Sequence, residues 1–196
     1  MSSVATRNKR RPINEHVLQA ALRLFSKRGY FNTSVHDISR EAKVSIGAIY
    51  HHFGDKEGIA KTMFAAIIER LQAALDDIES RHQGTPERCR AAIALLFEMT
   101  EAEPDLMTFM LYAKHREFLP EEKPLCSSAP FERMRNMVKN GMSTGEVRIM
   151  DPLVAATSVF GGALRMIHLR LDGLIDKPLP DCLDDVWSCA WRSVST

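Results

Sequence analysis

Apolar residues recur every three or four positions along almost the whole chain of 196 residues. No stretch alternates with a period of two over the length of a strand. The clearest case is a set of residues that share one face of a helix: Val17, Ala20, Ala21, Leu24 and Phe25. Gly29 follows at the point where that helix would end. The spacing predicts an all-α fold with nine or ten helices.

Capping residues and prolines divide the helical pattern into segments. Asp55 is expected to cap a long helix that carries apolar residues up to Leu75. Prolines suited to the first helical position then open segments near 86–102, 105–118 and 152–175, and each proline follows a capping-type or acidic residue, Thr85, Glu103 or Asp151. Further segments are expected near 130–143 and 182–194. Residues 1–60 are predicted to form one domain and residues 61–196 a second.

The net charge of +1 hides an asymmetry between these two parts. Residues 1–60 hold ten lysines and arginines against five acidic residues, whereas residues 61–196 hold sixteen against twenty. A basic first domain on an acidic second one suggests that the first domain meets a polyanion. A solubilising tail is the alternative interpretation of the charge alone.

Two short helices joined by a tight turn are predicted between Ser34 and Phe53. Ser34 begins a capping box with Asp37, and Ser45 is a natural N-cap for the second helix. With the first helix as support, they make a helix-turn-helix, whose second helix enters the major groove. A small core should fix their angle: Leu24, Phe25, Val35, Ile38, Ala42, Val44, Ile49 and Phe53. Gly47 and Ala48 leave the leading face of the second helix nearly free of side-chain bulk, so that its backbone can approach DNA closely.

Polar side chains around this core are predicted to contact DNA. Hydrogen-bond donors lie near helix N-termini or on the expected outer face, at Thr33, Ser45, Tyr50, His51 and Lys56. A basic arm over residues 1–11 could neutralise further phosphates or reach a minor groove through Arg7, Lys9, Arg10 and Arg11.

The stretch LRLFSKRGYFNTSVHDISREAKVSIGAIYHHFGDKEGI resembles the DNA-binding head of the TetR family of bacterial transcriptional regulators. The resemblance covers about residues 12–60. It implies an all-α homodimer that represses promoters by binding a palindromic operator and releases it when a small molecule binds the larger C-terminal domain. An activator or dual regulator, or an architectural DNA-binding protein without an effector, is the alternative function.

The resemblance also implies roles for individual residues. Thr33, Tyr50 and Lys56 match phosphate contacts, and Ser34 is included in the DNA-binding set. The stretch that faces the bases is occupied by Ser45, Ile46, Gly47 and His51. Ile46 departs from the family pattern, because relatives often carry lysine or arginine there. It could still contact a thymine methyl group.

Residues 61–196 resemble the family in architecture only, so their sites are predicted from residue type. Methionines and aromatic residues can line an adaptable apolar cavity. The candidate effector-binding residues are Phe97, Met107, Phe109, Met110, Tyr112, His115, Phe131, Met134 and Met166. The alternative is that each of them simply fills the core.

Small residues at helical spacing mark a candidate dimer interface. Ala155, Ser158 and Gly162 form a stripe that permits close approach of another helix. Together with the last helix, the proposed interface residues are Ala155, Ser158, Gly162, Arg165, Trp187 and Trp191. Internal packing of the same stripe is the alternative.

Other functions find little support in the sequence. Adjacent His51 and His52 point about 100° apart on a helix and cannot grip one metal ion. No nucleophile motif, cofactor-binding glycine loop or phosphate-binding loop is present, so we expect neither enzymatic activity nor a cofactor. No apolar run approaches the roughly 18–20 residues that span a bilayer, and four scattered cysteines suit a reducing cytoplasm.

Overall fold

The computed structural model describes residues 13–122 and 127–196, which form ten α-helices. The helices are α1 (Ile13–Arg28), α2 (Val35–Ala42), α3 (Ile46–Phe53), α4 (Lys56–Arg81), α5 (Thr85–Ala102), α6 (Pro104–Tyr112), α7 (His115–Phe118), α8 (Ala129–Thr144), α9 (Pro152–Leu171) and α10 (Leu183–Arg192). A 3-10 helix, Leu179–Cys182, precedes α10. Within the described residues, β-pairing is confined to one isolated bridge between Val147 and Ser195. The predicted all-α fold is confirmed.

One predicted helix is divided in two. The segment expected at 105–118 forms α6 and α7, because Ala113 has an extended backbone with ψ 130°. An extended residue cannot continue the ladder of backbone hydrogen bonds. The segment expected at 152–175 ends earlier, at Leu171, and Gly173 follows with a left-handed φ of +71°.

The chain forms two compact units, Met1–Met63 and Phe64–Thr196, whose boundary falls within α4. In the first unit, α2 packs against both α1 and α3. Its core contains most of the predicted residues, with Ile38 and Ile49 fully buried, whereas Val44 and Phe53 are half-buried. The predicted basic arm, with Arg7, Lys9, Arg10 and Arg11, lies outside the described residues.

Helix α5 is the centre of the second unit. It packs against α6, α8, α9, α10 and the 3-10 helix, and its residues Ile93 and Phe97 are fully buried. Asp151 caps α9 as predicted, since its carboxylate accepts hydrogen bonds from the backbone N–H groups of Leu153 and Val154 at 2.8 and 3.1 Å.

Helix α9 is long and apolar enough to cross a membrane when only length and composition are considered. This differs from the expectation that no apolar run approaches the length of a membrane span, because Ser, Thr, Gly and Arg interrupt the run without lowering its mean hydropathy below that of a membrane helix. The core helix of a soluble protein can have the same composition. Only 33% of the apolar window is buried within the protein, so much of this helix lies at the surface of its unit.

Candidate nucleic-acid interface

The N-terminus of α2 is fixed by the predicted capping box. The Ser34 hydroxyl accepts a hydrogen bond from the Asp37 N–H at 3.1 Å, and the Asp37 carboxylate accepts one from the Ser34 N–H at 3.0 Å. The hydrogen bond that the Ser34 hydroxyl donates to this carboxylate lowers the pKa of Asp37. The exposed Ser34 side chain therefore has a structural role at the edge of the candidate interface.

The turn between α2 and α3 contains a strained residue that sequence reasoning missed. Lys43 has a φ of +55° and a ψ of 40°, a left-handed conformation that side chains with a Cβ rarely adopt. Its N–H and that of Val44 both donate to the Ser39 carbonyl, which closes α2. The Lys43 side chain is exposed at this turn.

Helix α3 has a buried anchor and an open leading face. Ile49 is fully buried, and the Ser45 hydroxyl accepts a hydrogen bond from the Ala48 N–H at 3.3 Å, as predicted for an N-cap. Exposed residues surround this anchor, and they include Ser45, Gly47, Tyr50 and His51. Ile46 is half-buried. A Cβ added to Gly47 would meet nothing within 4 Å, so the fold itself does not require this glycine.

Two glycines, Gly54 and Gly58, allow the close junction between α3 and α4. Gly54 ends α3 with a φ of +77°. Four residues later, a Cβ added to Gly58 would lie 1.9 Å from the backbone carbonyl oxygen of Phe53. Because no side-chain carbon fits at that distance, Gly58 allows the first turn of α4 to meet the end of α3. Sequence reasoning missed the role of Gly58, because the atom that an added Cβ would meet is a backbone oxygen, which has no residue-specific signal.

Lys56, at the start of α4, is occupied by internal contacts. Its ammonium group donates hydrogen bonds to the carbonyl oxygens of Thr33 at 2.9 Å and Tyr30 at 3.0 Å. The same nitrogen lies 4.1 Å from the centroid of the Tyr30 ring, in a cation–π contact. Partial burial lowers the pKa of Lys56. The arrangement favours a brace between α4 and the α1–α2 turn over the predicted phosphate contact.

Thr33 also differs from its predicted role. Its side chain is 2% exposed, and its hydroxyl donates to the Gly29 carbonyl at 3.0 Å. A buried and hydrogen-bonded hydroxyl is poorly placed to reach phosphate, so Thr33 holds the α1–α2 turn together. Beside it, Phe31 is 62% exposed, an aromatic surface that the sequence analysis did not single out.

The two histidines of α3 are both exposed, and their ring centroids lie 5.3 Å apart. Across residues 13–122 and 127–196, no group of three or more His, Cys, Asp or Glu side chains could hold a metal ion.

In the second unit, most of the candidate effector-binding residues are buried. The buried members are Phe97, Met107, Phe109, Met110, His115 and Met134. Tyr112 is 42% exposed, and its hydroxyl donates to the Asp172 carboxylate at 2.6 Å. Phe131 is half-buried. Met166 lines a surface groove between α9 and α10.

That groove has a volume of about 580 Å³ and contains three of the predicted dimer residues, Ser158, Gly162 and Arg165. Ala155, by contrast, is completely buried in the core of its own unit, so it is not available to a partner. The rings of Trp187 and Trp191 stack at 5.1 Å. At 100° per residue, this pair lies on a different face of α10 from the groove-lining Cys189 and Ser193.

The comparisons with known proteins agree with this geometry. A family model described as bacterial regulatory proteins of the tetR family matches residues 17–63. The chain is 47% identical over 127 residues to the HTH-type transcriptional regulator HbdR of Aromatoleum sp. (strain CIB). That match covers 63% of this chain and 54% of HbdR, so the chain spans about half the length of that relative.

Solved structures extend the likeness to the complete fold. A TetR family transcription regulator from Marinobacter aquaeolei VT8 superposes with a TM-score of 0.77 at 20% identity, over 93% of this chain and 95% of that one. FadR from Bacillus subtilis, solved in complex with stearoyl-CoA, gives 0.72 at 20% identity, over 90% and 96%. Residues 17–63, which contain the helix-turn-helix of α2 and α3, thus match the TetR family of bacterial regulatory proteins, and the solved structures show that the chain shares the fold of such regulators.

Proposed function

We propose that this protein is a repressor that binds a palindromic DNA operator as a homodimer and releases it when a small, mostly apolar molecule binds the second unit. The observation that carries the proposal is the open first turn of α3. Ser45 and Gly47 are exposed there, while the buried Ile49 anchors the helix from behind. A helix whose first turn is free of bulk can enter the major groove with that turn facing the bases.

Phosphate contacts would come from the exposed groups that flank α3. Tyr50, which is 49% exposed, can donate its hydroxyl, and His51 lies beside it. Lys43 presents its side chain from the strained turn at the other end of the helix. The excess of positive charge in residues 1–60 supports binding to a polyanion. Ile46 would contact a thymine methyl group in place of a basic contact to guanine.

The second copy of the chain would dock on α9 and α10. Helix α9 has the composition of a membrane helix, yet only a third of its apolar window is buried within the chain. The groove beside it is lined largely by apolar and small side chains, among them Val186 and Ala190. A two-fold related copy would cover this surface through self-complementary helix packing.

The effector would act through α4, which begins in the first unit and continues into the second. A molecule that binds better to one position of α4 shifts the population toward it. The two α3 helices of a dimer then no longer match half-sites about 34–36 Å apart, and the operator is released. A FadR of similar fold holds stearoyl-CoA in its crystal structure, which supports a mostly apolar effector here. As a DNA-binding regulator, the protein would work in the bacterial cytoplasm.

The test is footprinting with purified protein on the DNA that flanks its own gene. We expect a protected palindrome with two half-sites, and weaker protection with Tyr50→Phe, which removes one hydroxyl and keeps the ring. A transcriptional reporter fused to the protected promoter should rise when the gene is deleted. Uniform protection of all sequences would contradict the regulator proposal, and a fall of the reporter would show an activator.

A further inference from the structure

One buried polar atom has no hydrogen-bond partner within the described residues, the Nε2 nitrogen of His115. The residue is only 7% exposed. Folded proteins satisfy nearly all buried polar side-chain atoms, so that an exception calls for an explanation. His115 is the first residue of the short helix α7, which begins just after the break at Ala113 that divides the predicted helix.

Aromatic rings surround the imidazole. The ring centroids of Phe64 and Phe109 both lie 4.9 Å from that of His115, and the Phe118 centroid lies at 5.6 Å. These phenylalanines come from α4, α6 and α7. Burial lowers the pKa of His115 to about 4, so the imidazole is neutral near pH 7. A single neutral hydrogen-bonding atom in an apolar aromatic setting is typical of a site for an uncharged apolar molecule.

We propose that His115 Nε2 is the hydrogen-bonding group of the effector site and that the effector is an uncharged, mostly apolar compound that carries a hydroxyl group. This inference rests on the proposed function, which supplies the effector. A hydroxyl suits either tautomer of the imidazole, because it donates to an unprotonated Nε2 and accepts from a protonated one. A charged ligand would lose its hydration here without a counter-charge from the three phenylalanine rings.

Phe64 connects this site to the DNA-binding unit, because it lies on the same helix as Lys56. Phe64 follows Lys56 by eight residues on the same helix, a rise of about 12 Å. Lys56 holds the carbonyls of Tyr30 and Thr33 at the α1–α2 turn. A hydroxyl that reaches Nε2 must displace or repack the surrounding rings, Phe64 among them. The same helix would therefore respond to the effector at one end and brace the turn at the other.

The experiment uses the full chain labelled with ¹⁵N histidine, with phenol as the probe and toluene as its matched analogue without the hydroxyl. Long-range ¹H–¹⁵N correlation spectra report the Nε2 resonance directly. We expect phenol to shift this resonance and to bind about tenfold more tightly than toluene, the usual loss when a buried polar group is left unpaired. His115→Phe should reduce phenol affinity to that of toluene, while His36→Phe, the same substitution at an exposed histidine of α2, should leave it unchanged.

The inference is overturned if phenol and toluene bind equally, or if phenol binds without moving the Nε2 resonance. If His115→Phe does not fold, the resonance of the natural protein still decides the question. None of these measurements contains DNA, so failure of the site is distinct from failure of the proposed regulator. Operator release is then measured separately: phenol that binds at His115 without releasing DNA would leave the site standing and contradict its role in regulation.

Discussion

The ammonium nitrogen of Lys56 lies 2.9 Å from the carbonyl oxygen of Thr33, twenty-three residues earlier in the chain. The contact joins the first residue of α4 to the turn that precedes α2. A second hydrogen bond, to the Tyr30 carbonyl, reinforces it. A residue that resembles a phosphate contact in sequence thus serves as a brace inside the DNA-binding unit.

A substitution of Lys56 distinguishes an internal brace from a phosphate contact. Lys56→Met should lower the free energy of unfolding by about 1 kcal/mol, because two carbonyls lose a charged donor at a partly exposed site. Thermal unfolding followed by circular dichroism measures this loss. The salt dependence of operator binding should keep its slope. A slope reduced by about 0.9 for each subunit would instead show a direct phosphate contact. Lys27→Met, at an exposed lysine of α1, is the matched control for stability.

At Lys43, in the strained turn between α2 and α3, a substitution should instead raise the stability of the fold and weaken DNA binding. Lys43→Gly should raise the free energy of unfolding by about 1 kcal/mol, since glycine adopts the left-handed conformation without a Cβ penalty. Operator affinity should nevertheless fall, and the salt slope should decrease, because a phosphate contact is lost. Calorimetry and fluorescence anisotropy measure the two effects. Unchanged binding in the stabilised variant would show that this lysine does not contact DNA.

A substitution of Gly47 should likewise change fold stability and operator affinity in opposite directions. Gly47→Ala should stabilise α3 by roughly 0.5–1 kcal/mol, because alanine is the better helix former and the added methyl meets nothing in the fold. Operator affinity should fall, since the methyl stands on the face that approaches the bases. Gly54→Ala is the comparison: at a φ of +77° it should destabilise the protein. Tighter DNA binding by Gly47→Ala would contradict the close approach of the backbone.

Stability should depend on pH through His115. Burial lowers the pKa of its imidazole from 6.5 to about 4, so the unfolded chain binds more protons between these values. This contribution to stability is complete above pH 6.5, decreases as the pH falls from 6.5 toward 4, and is constant below 4. At its largest the loss is about 3 kcal/mol. The difference in unfolding midpoints between the natural protein and His115→Phe, measured across this window, isolates it from the titration of carboxylates. A pH-independent difference would refute the assignment.

The proposed dimer surface can be broken without harm to the protomer. A Cβ added to Gly162 meets nothing within 4 Å, so Gly162→Glu should fold normally and place a charge on the α9 surface. We expect sedimentation velocity to show a monomer for this variant and a dimer for the natural protein. Asn136→Glu adds the same charge at an exposed position of α8 and should remain dimeric. If Gly162→Glu also sediments as a dimer, another surface joins the copies.

The features that sequence reasoning predicted are local ones. Ser34 and Asp37 stand three residues apart, so their reciprocal hydrogen bonds follow from the helix that both belong to. Ser45 and Asp151 likewise cap helices that begin beside them. The identity of the core in the first unit followed from helical spacing, because the apolar face of a short helix has to be buried.

The features that sequence reasoning missed depend on atoms distant in the chain or on the backbone. The partners of Lys56 are carbonyl oxygens, which have no residue-specific signal, and they lie more than twenty residues away. Ala155 belongs to a stripe of small residues, yet only packing decides which members of the stripe face inward. The break at Ala113, which brings His115 among three phenylalanines, lies inside a pattern that reads as continuous helix.

The junction at Gly58 bears on how such a protein could acquire a new operator. With 1.9 Å between an added Cβ and the Phe53 carbonyl oxygen, every larger residue at this position would force the end of α3 and the start of α4 apart. Ile46 and Gly47 have no such constraint. In a library randomised over α3 and the start of α4 and selected on altered half-sites, we expect successful variants to change those two positions and to retain Gly58. New operator specificity would then evolve through the base-contacting residues of α3, while the junction that positions this helix stays the same.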